Sequence, residues 1–223
     1  ERSLPLLVNK GPKGFSSVTL AVGERAGREW EAALGRSLPP DGLRILYEPV
    51  FGYFSESRVD PATLRRRIRA ALEKALPADT AKETLLWTHN MGLGRNGILS
   101  EEISRLTAAR GVARLTQHHD FWFENRWARW PELQQCGYRT LSSVARAFFG
   151  GPGGVLTVNR ADKEVFERHL PGQAAWLPNP VSLSRPLAKT KILALRRTLA
   201  GVLGDAGPLW VVPTRMLRRK NLA

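Results

Sequence analysis

Residues 84–120 read TLLWTHNMGLGRNGILSEEISRLTAARGVARLTQHHD. The apolar run from Thr84 to Thr88 is short and ends at His89-Asn90, the pattern of a buried strand. Ser100 then stands as a helix N-cap. Glu101 and Glu102 sit at the positive end of that helix, and Gly111 lies just past its C-terminus. Val112 to Gln117 is a second strand, closing on His118-His119-Asp120. A strand, a helix and another strand in immediate succession make the unit that builds parallel sheets.

The same alternation extends in both directions. Upstream, Leu43 to Tyr47 is a strand, and Asp60-Pro61 opens a helix whose Leu64, Ile68, Leu72 and Leu76 form one stripe. Arg65, Arg66 and Arg69 fall off that stripe and read as a solvated face. Earlier still, Leu4 to Val8 reads as a strand and Gly11-Pro12-Lys13-Gly14 as a loop. A helix is expected from Ser16 or Ser17, carrying Val18, Ala21, Val22, Ala26 and Trp30.

Downstream, residues 121–135 are irregular. Leu141, Val144, Ala145 and Phe148 mark a helix stopped by the glycines at 150–154. Strand Val155–Val158, helix Ala161–His169 and strand Ala174–Leu177 follow, closed by Pro178-Asn179-Pro180. A basic amphipathic helix over Thr190–Val202 leads to a final strand, Leu209–Val212. The expected fold is α/β and Rossmann-like, a mostly parallel sheet with helices on both faces. The expected organisation is a domain over 1–182, a helical linker over 183–206, and the first strand and turn of a second domain over 207–223.

Composition narrows the partners. The chain has 223 residues, with 34 Lys and Arg against 20 Asp and Glu, a net charge of +14. Nine basic residues and one acid lie from Val181 onward, so the excess is concentrated at the C-terminal end. Such a charge suits nucleic acid, a membrane surface or a phosphorylated substrate. One cysteine, Cys136, excludes an internal disulfide framework and a cysteine-based zinc site. Apolar runs fall short of a membrane span, and the chain reads as soluble and cytoplasmic.

In open parallel sheets ligands bind beyond the carboxyl ends of the strands. The residues there are Gly11–Gly14, Tyr53, His89-Asn90, His118–Asp120, Asn159 and Asn179. The Gly11–Gly14 loop matches neither a Walker loop nor a dinucleotide fingerprint, and taken alone it reads as a plain strand-to-helix connection. His89 precedes two glycines that let a backbone pass close to a ligand. Of the adjacent His118 and His119, only one can face a given cleft. They do not make a zinc site, because no third His or Cys lies at ligand spacing. Their strand-end position suits orienting a hydroxyl-bearing substrate. Cys136 lies in a mobile-looking segment and is a poor nucleophile candidate. Residues 122–130 look like a DNA-reading recognition helix, but the two helices that must precede it are interrupted, so no nucleic-acid partner is expected. Near the C-terminus, Arg215 stands at a strand tip and Lys220 follows five residues later. Two cations beside a helix start suit a diphosphate.

These segments together resemble the retaining glycosyltransferases of the GT-B class, in particular the large family 4 group. The resemblance rests on Gly11–Gly14, His89-Asn90, His119-Asp120, Pro178-Asn179-Pro180-Val181 and Arg215-Met216-Leu217-Arg218-Arg219-Lys220-Asn221, in that order. Thr214 stands where the family usually has glycine. The resemblance implies transfer of a sugar from a nucleotide-sugar donor to an acceptor hydroxyl with retention, and no metal or other cofactor. Arg215 and Lys220, with Gly11 and Gly14, would hold the donor phosphates. His119 would contact the reacting sugar, and His89, Asn90 and Asp120 would shape the acceptor pocket. The chain would then be the acceptor-side part of an enzyme whose donor domain lies downstream, inactive alone. A contact with the inner face of a membrane stays open. The alternatives are a basic nucleic-acid-binding module and another GT-B-like enzyme, such as a sugar epimerase or phosphorylase.

Overall fold

The structure is a computed structural model, and it describes residues 17–25, 32, 42–76, 78, 83–123, 127–170, 172–179 and 188–204. The chain divides into one compact unit over residues 1–180 and a second over 181–223. In the first, the order is β1 (Val18–Val22), β2 (Leu43–Tyr47), α1 (Pro61–Ala75), β3 (Leu85–His89), α2 (Gly97–Arg110), β4 (Ala113–His118), α3 (Trp130–Gln135), α4 (Leu141–Phe149), β5 (Gly154–Thr157), α5 (Arg160–His169) and β6 (Ala174–Trp176). In the second, the described residues form α6 (Lys189–Leu203), whose Ile192, Leu193 and Leu195 are exposed. No helix among the described residues is long and apolar enough to cross a membrane.

The architecture is α/β and Rossmann-like, with every described strand pair parallel. The strands fall into two sheets rather than one: a pair β1-β2, and four strands in the order β3-β4-β5-β6. Each step across the larger sheet carries at least one helix, as parallel neighbours require. Leu85 pairs with Ala113 and His89 with Gln117, which brings the ends of β3 and β4 level.

Local chemistry explains the element ends. Asp60 caps α1 by accepting from Thr63 N–H at 2.9 Å, and Pro61 follows at the first helical position. Gly111 ends α2 at φ 66°, a left-handed conformation that a side chain disfavours. Thr140 and Ser143 form a reciprocal capping box on α4. One core joins Leu64, Ile68 and Leu72 of α1, Ile98, Ile103 and Leu106 of α2, and Val144, Ala147 and Phe148 of α4. A smaller one gathers Phe121, Val155 and Phe166.

Three expectations are corrected. Residues 18–22 form a strand, not the start of a helix, and Val18, Leu20 and Val22 are the less exposed positions. The β-branched valines alternate with outward residues there, so a period of two overrides the apparent helical spacing of Val18, Ala21 and Val22. Helix α2 starts one turn earlier than Ser100, because Asn96 is the cap, accepting from Leu99 N–H at 3.1 Å. The Asn96 amide also donates to the carbonyls of Val50 (3.2 Å) and Gly52 (2.9 Å), tying the turn after β2 to this helix. Arg65 and Arg69 are not a solvated face: both bind the carboxylate of Glu102, which is 0% exposed, while Arg66 reaches Thr63 on the surface. The expected strands Leu4–Val8 and Leu209–Val212 lie outside the described residues.

Candidate functional site

The carboxyl ends of β3 and β4 bring His89, Asn90, His119 and Asp120 together. Asn90 takes the left-handed conformation at φ 57°, the one described non-glycine residue to do so. Asparagine tolerates that region because its short polar side chain can bond locally. Here the Asn90 Oδ1 accepts the backbone N–H of His119 (3.2 Å) and of Asp120 (3.1 Å), and the Asn90 N–H donates to Gln117 O at 2.7 Å. Asn90 is therefore a clasp between the two strand tips.

This gives a paired expectation. Asn90→Gly keeps the backbone conformation and loses the clasp, at a cost of about 1 to 2 kcal/mol. Asn90→Ala loses the clasp and adds left-handed strain, so it should cost about 1 kcal/mol more. Urea unfolding of the two variants measures the difference, and equal losses would remove the strain argument.

The two adjacent histidines divide between faces. His118 is 0% exposed and sits among Phe121, Phe149 and Phe166, with ring centroids 5.2, 5.2 and 5.9 Å away. Its Nδ1 accepts the N–H of Gly92 at 3.2 Å, so the proton of the neutral ring is on Nε2. Burial pushes the His118 pKa down to about 3. A Cβ on Gly92 would stand 2.7 Å from that Nδ1, which is why the turn after β3 needs glycine at this point. His119 turns the other way, with its ring 5.8 Å from that of His89. His89 is exposed and stacks on Trp87 at 5.7 Å and 11°. Partial burial and the neighbouring His119 lower the His89 pKa, which favours the neutral ring.

Other strand-end residues are accounted for differently. Asn159 caps α5, accepting from Asp162 N–H at 2.8 Å, which is a structural task. Tyr53 is 43% exposed and carries the Arg95 guanidinium 4.3 Å from its ring centroid. Asn179 is exposed. Cys136 lies in a packed segment rather than a mobile one, and burial raises its thiol pKa to about 11, so it is no nucleophile. Among the described residues no group of three or more His, Cys, Asp or Glu could hold a metal ion. Gly11, Gly14, Arg215 and Lys220, expected at the donor phosphates, lie outside the described residues.

Sequence reasoning passed over Trp87 and Gln117. Trp87 shares a face with His89 and with Gln117, since His89 pairs with Gln117 and alternate residues of a strand point the same way. Gln117 is 1% exposed. The signal was the period of two on either side of the strand-end histidines. No protein-family model matches the chain, and no curated protein or solved structure matches it either.

Proposed function

We propose that the chain supplies the acceptor side of a retaining nucleotide-sugar glycosyltransferase of the GT-B kind. The observation that carries this reading is the meeting of His89, Asn90, His119 and Asp120 at the carboxyl ends of two adjacent parallel strands. That edge is where open α/β sheets take their ligands. In the proposal His119 contacts the reacting sugar, while His89 and Asp120 shape the acceptor pocket. Asn90 holds the turn that carries His119 and Asp120, so its part is positioning. Arg215, Lys220, Gly11 and Gly14 take the departing diphosphate, whose developing negative charge is the main electrostatic demand of the reaction. Fixed cations meet that demand without a metal.

The test uses the four imidazoles of the chain, His89, His118, His119 and His169. Titration with uridine-, guanosine- and adenosine-diphosphate hexoses should perturb the His89 and His119 resonances and leave His169 unmoved. His119→Ala should weaken that binding by roughly tenfold or more, the effect of about 1.4 kcal/mol. If nucleotide sugars move the His169 resonance but neither that of His89 nor that of His119, or if the chain instead binds DNA with steep salt dependence, the proposal falls.

A further inference from the structure

Helix α6 (Lys189–Leu203) carries four cations, Lys189, Lys191, Arg196 and Arg197, and no acid. Among the described residues none of the four is in an ion pair. Every residue from Ala188 to Gly201 is exposed save Leu199, which is half-buried. The exposed set includes Ile192 at 41% and Leu193 and Leu195 at 54% each. Ile192, Leu195 and Leu199 recur at the three- and four-residue spacing that lines one face of a helix. At about 3.6 residues per turn, Lys191 falls on one border of that stripe, and Arg196 and Lys189 fall on the other. Leu193 lies beyond the second border, and Arg197 lies on the polar side.

A short helix in water owes most of its stability to covering its apolar face, so this stripe calls for a partner. Charge complementarity makes that partner anionic, because the helix has four positive side chains and nothing to balance them. Nucleic acid would use the cations on its phosphates and leave the leucines in water. A lipid bilayer with anionic headgroups uses both. The stripe enters the boundary between headgroups and acyl chains, while Lys and Arg at its borders lay their stems along it and keep their charges at headgroup level. The geometry is that of a helix lying on a membrane. Fifteen residues extend about 22 Å, short of the roughly 30 Å of a hydrocarbon core, and no helix among the described residues is long and apolar enough to cross one.

We infer that α6 is a docking surface for an anionic lipid bilayer, with Ile192, Leu195 and Leu199 inserted and Lys189, Lys191 and Arg196 on the headgroup phosphates. The inference stands apart from the glycosyltransferase reading. It uses only residues of the second unit, whereas the carrying observation for that reading is at the strand tips of the first.

The experiment measures binding of the full chain to vesicles of phosphatidylcholine alone, to vesicles enriched in phosphatidylglycerol, and to duplex DNA. The anionic vesicles should bind at least tenfold more tightly than the neutral ones, and less tightly as salt rises. Replacing both border cations, Lys191→Gln with Arg196→Gln, should weaken that binding roughly twentyfold, since each cation near an anionic surface contributes roughly fivefold. Ile192→Ser with Leu195→Ser keeps every charge and should still weaken it by roughly tenfold or more. Hydrogen exchange of the unaltered chain needs no variant: anionic vesicles should slow the amides of residues 189–203. Absence of vesicle binding overturns the inference, as does equal binding to both compositions. So does slowed exchange confined to other segments, or amides of 189–203 already slow without vesicles and unchanged by them, which would show the stripe covered by the chain itself. Loss of vesicle binding in the cation variant but not in the serine variant would reduce the contact to charge alone, and DNA bound more tightly than anionic vesicles would make the helix a nucleic-acid contact; either result also overturns it. Vesicle binding through α6 without any response to nucleotide sugars would leave this surface standing and the glycosyltransferase reading unsupported, and the reverse pattern would do the opposite.

Discussion

Glu102→Gln is expected to lower folding stability by about 3 kcal/mol, the scale set by breaking a buried ion pair from one side. Arg65, Arg69 and Arg105 all converge on this carboxylate at 2.7 to 2.8 Å, and it is 0% exposed. Arg65 also reaches Glu101, which accepts a bond from Tyr138. Removing the charge leaves three guanidinium groups facing one another with only Glu101 to offset them. The arginines are 28 to 48% exposed, so water screens part of the loss and the lower end of the buried range applies. Burial alone would raise the Glu102 pKa, but hydrogen bonds from Arg69, Arg105 and Arg65 outweigh it and hold the carboxyl at about 2. A carboxyl held below its unfolded value stabilises fully above about pH 4.5 and ceases to as pH falls toward 2. Urea midpoints of the variant at neutral pH test the assignment. A loss below about 1 kcal/mol, the level of a surface ion pair, would show that the cluster does not join α1 to α2.

Acid should weaken the protein earlier than Glu102 alone predicts, because His118 titrates first. Its pKa drops from 6.5 to about 3, through burial first and then through the nearby Arg114 and His119. The unfolded chain therefore takes up a proton below about pH 6.5 that the folded chain refuses until about pH 3. Stability is complete above that window and is lost as pH falls through it. At about 1.4 kcal/mol per pH unit, roughly 2 to 3 kcal/mol should disappear between pH 6.5 and 4.5, before Glu102 begins to protonate. His89, shifted in the same direction, adds to the slope. His118→Gln keeps an acceptor for Gly92 N–H and cannot titrate, so it should lose clearly less stability than wild type over the same range, keeping only the slope that His89 contributes. If wild type and variant lose stability in parallel there, His118 is not the responsible group.

Much of the fold was legible because its signals are local. The strand–helix–strand unit over residues 84–118, the cap at Asp60 and the stop at Gly111 each depend on a few neighbouring residues, and each appears where expected within a turn. Residues 18–22 were misread because five residues fit both periodicities, and pairing with β2 decided between them. Strand-end positions likewise pointed to His89, Asn90, His119 and Asp120 without revealing that Asn90 is a clasp.

From β3 to β6 the order of strands and helices and the placement of polar residues at strand ends follow from the amino-acid sequence by itself, since periodicity and capping act over one or two turns. Tertiary structure alone decided that Arg65 and Arg69 close on a carboxylate 37 and 33 residues away, that His118 enters the aromatic core while His119 leaves it, and that Trp87 and Gln117 carry unpaired atoms on one face. Those outcomes depend on how helices cross and strands register, and such distances lie beyond the reach of any local pattern.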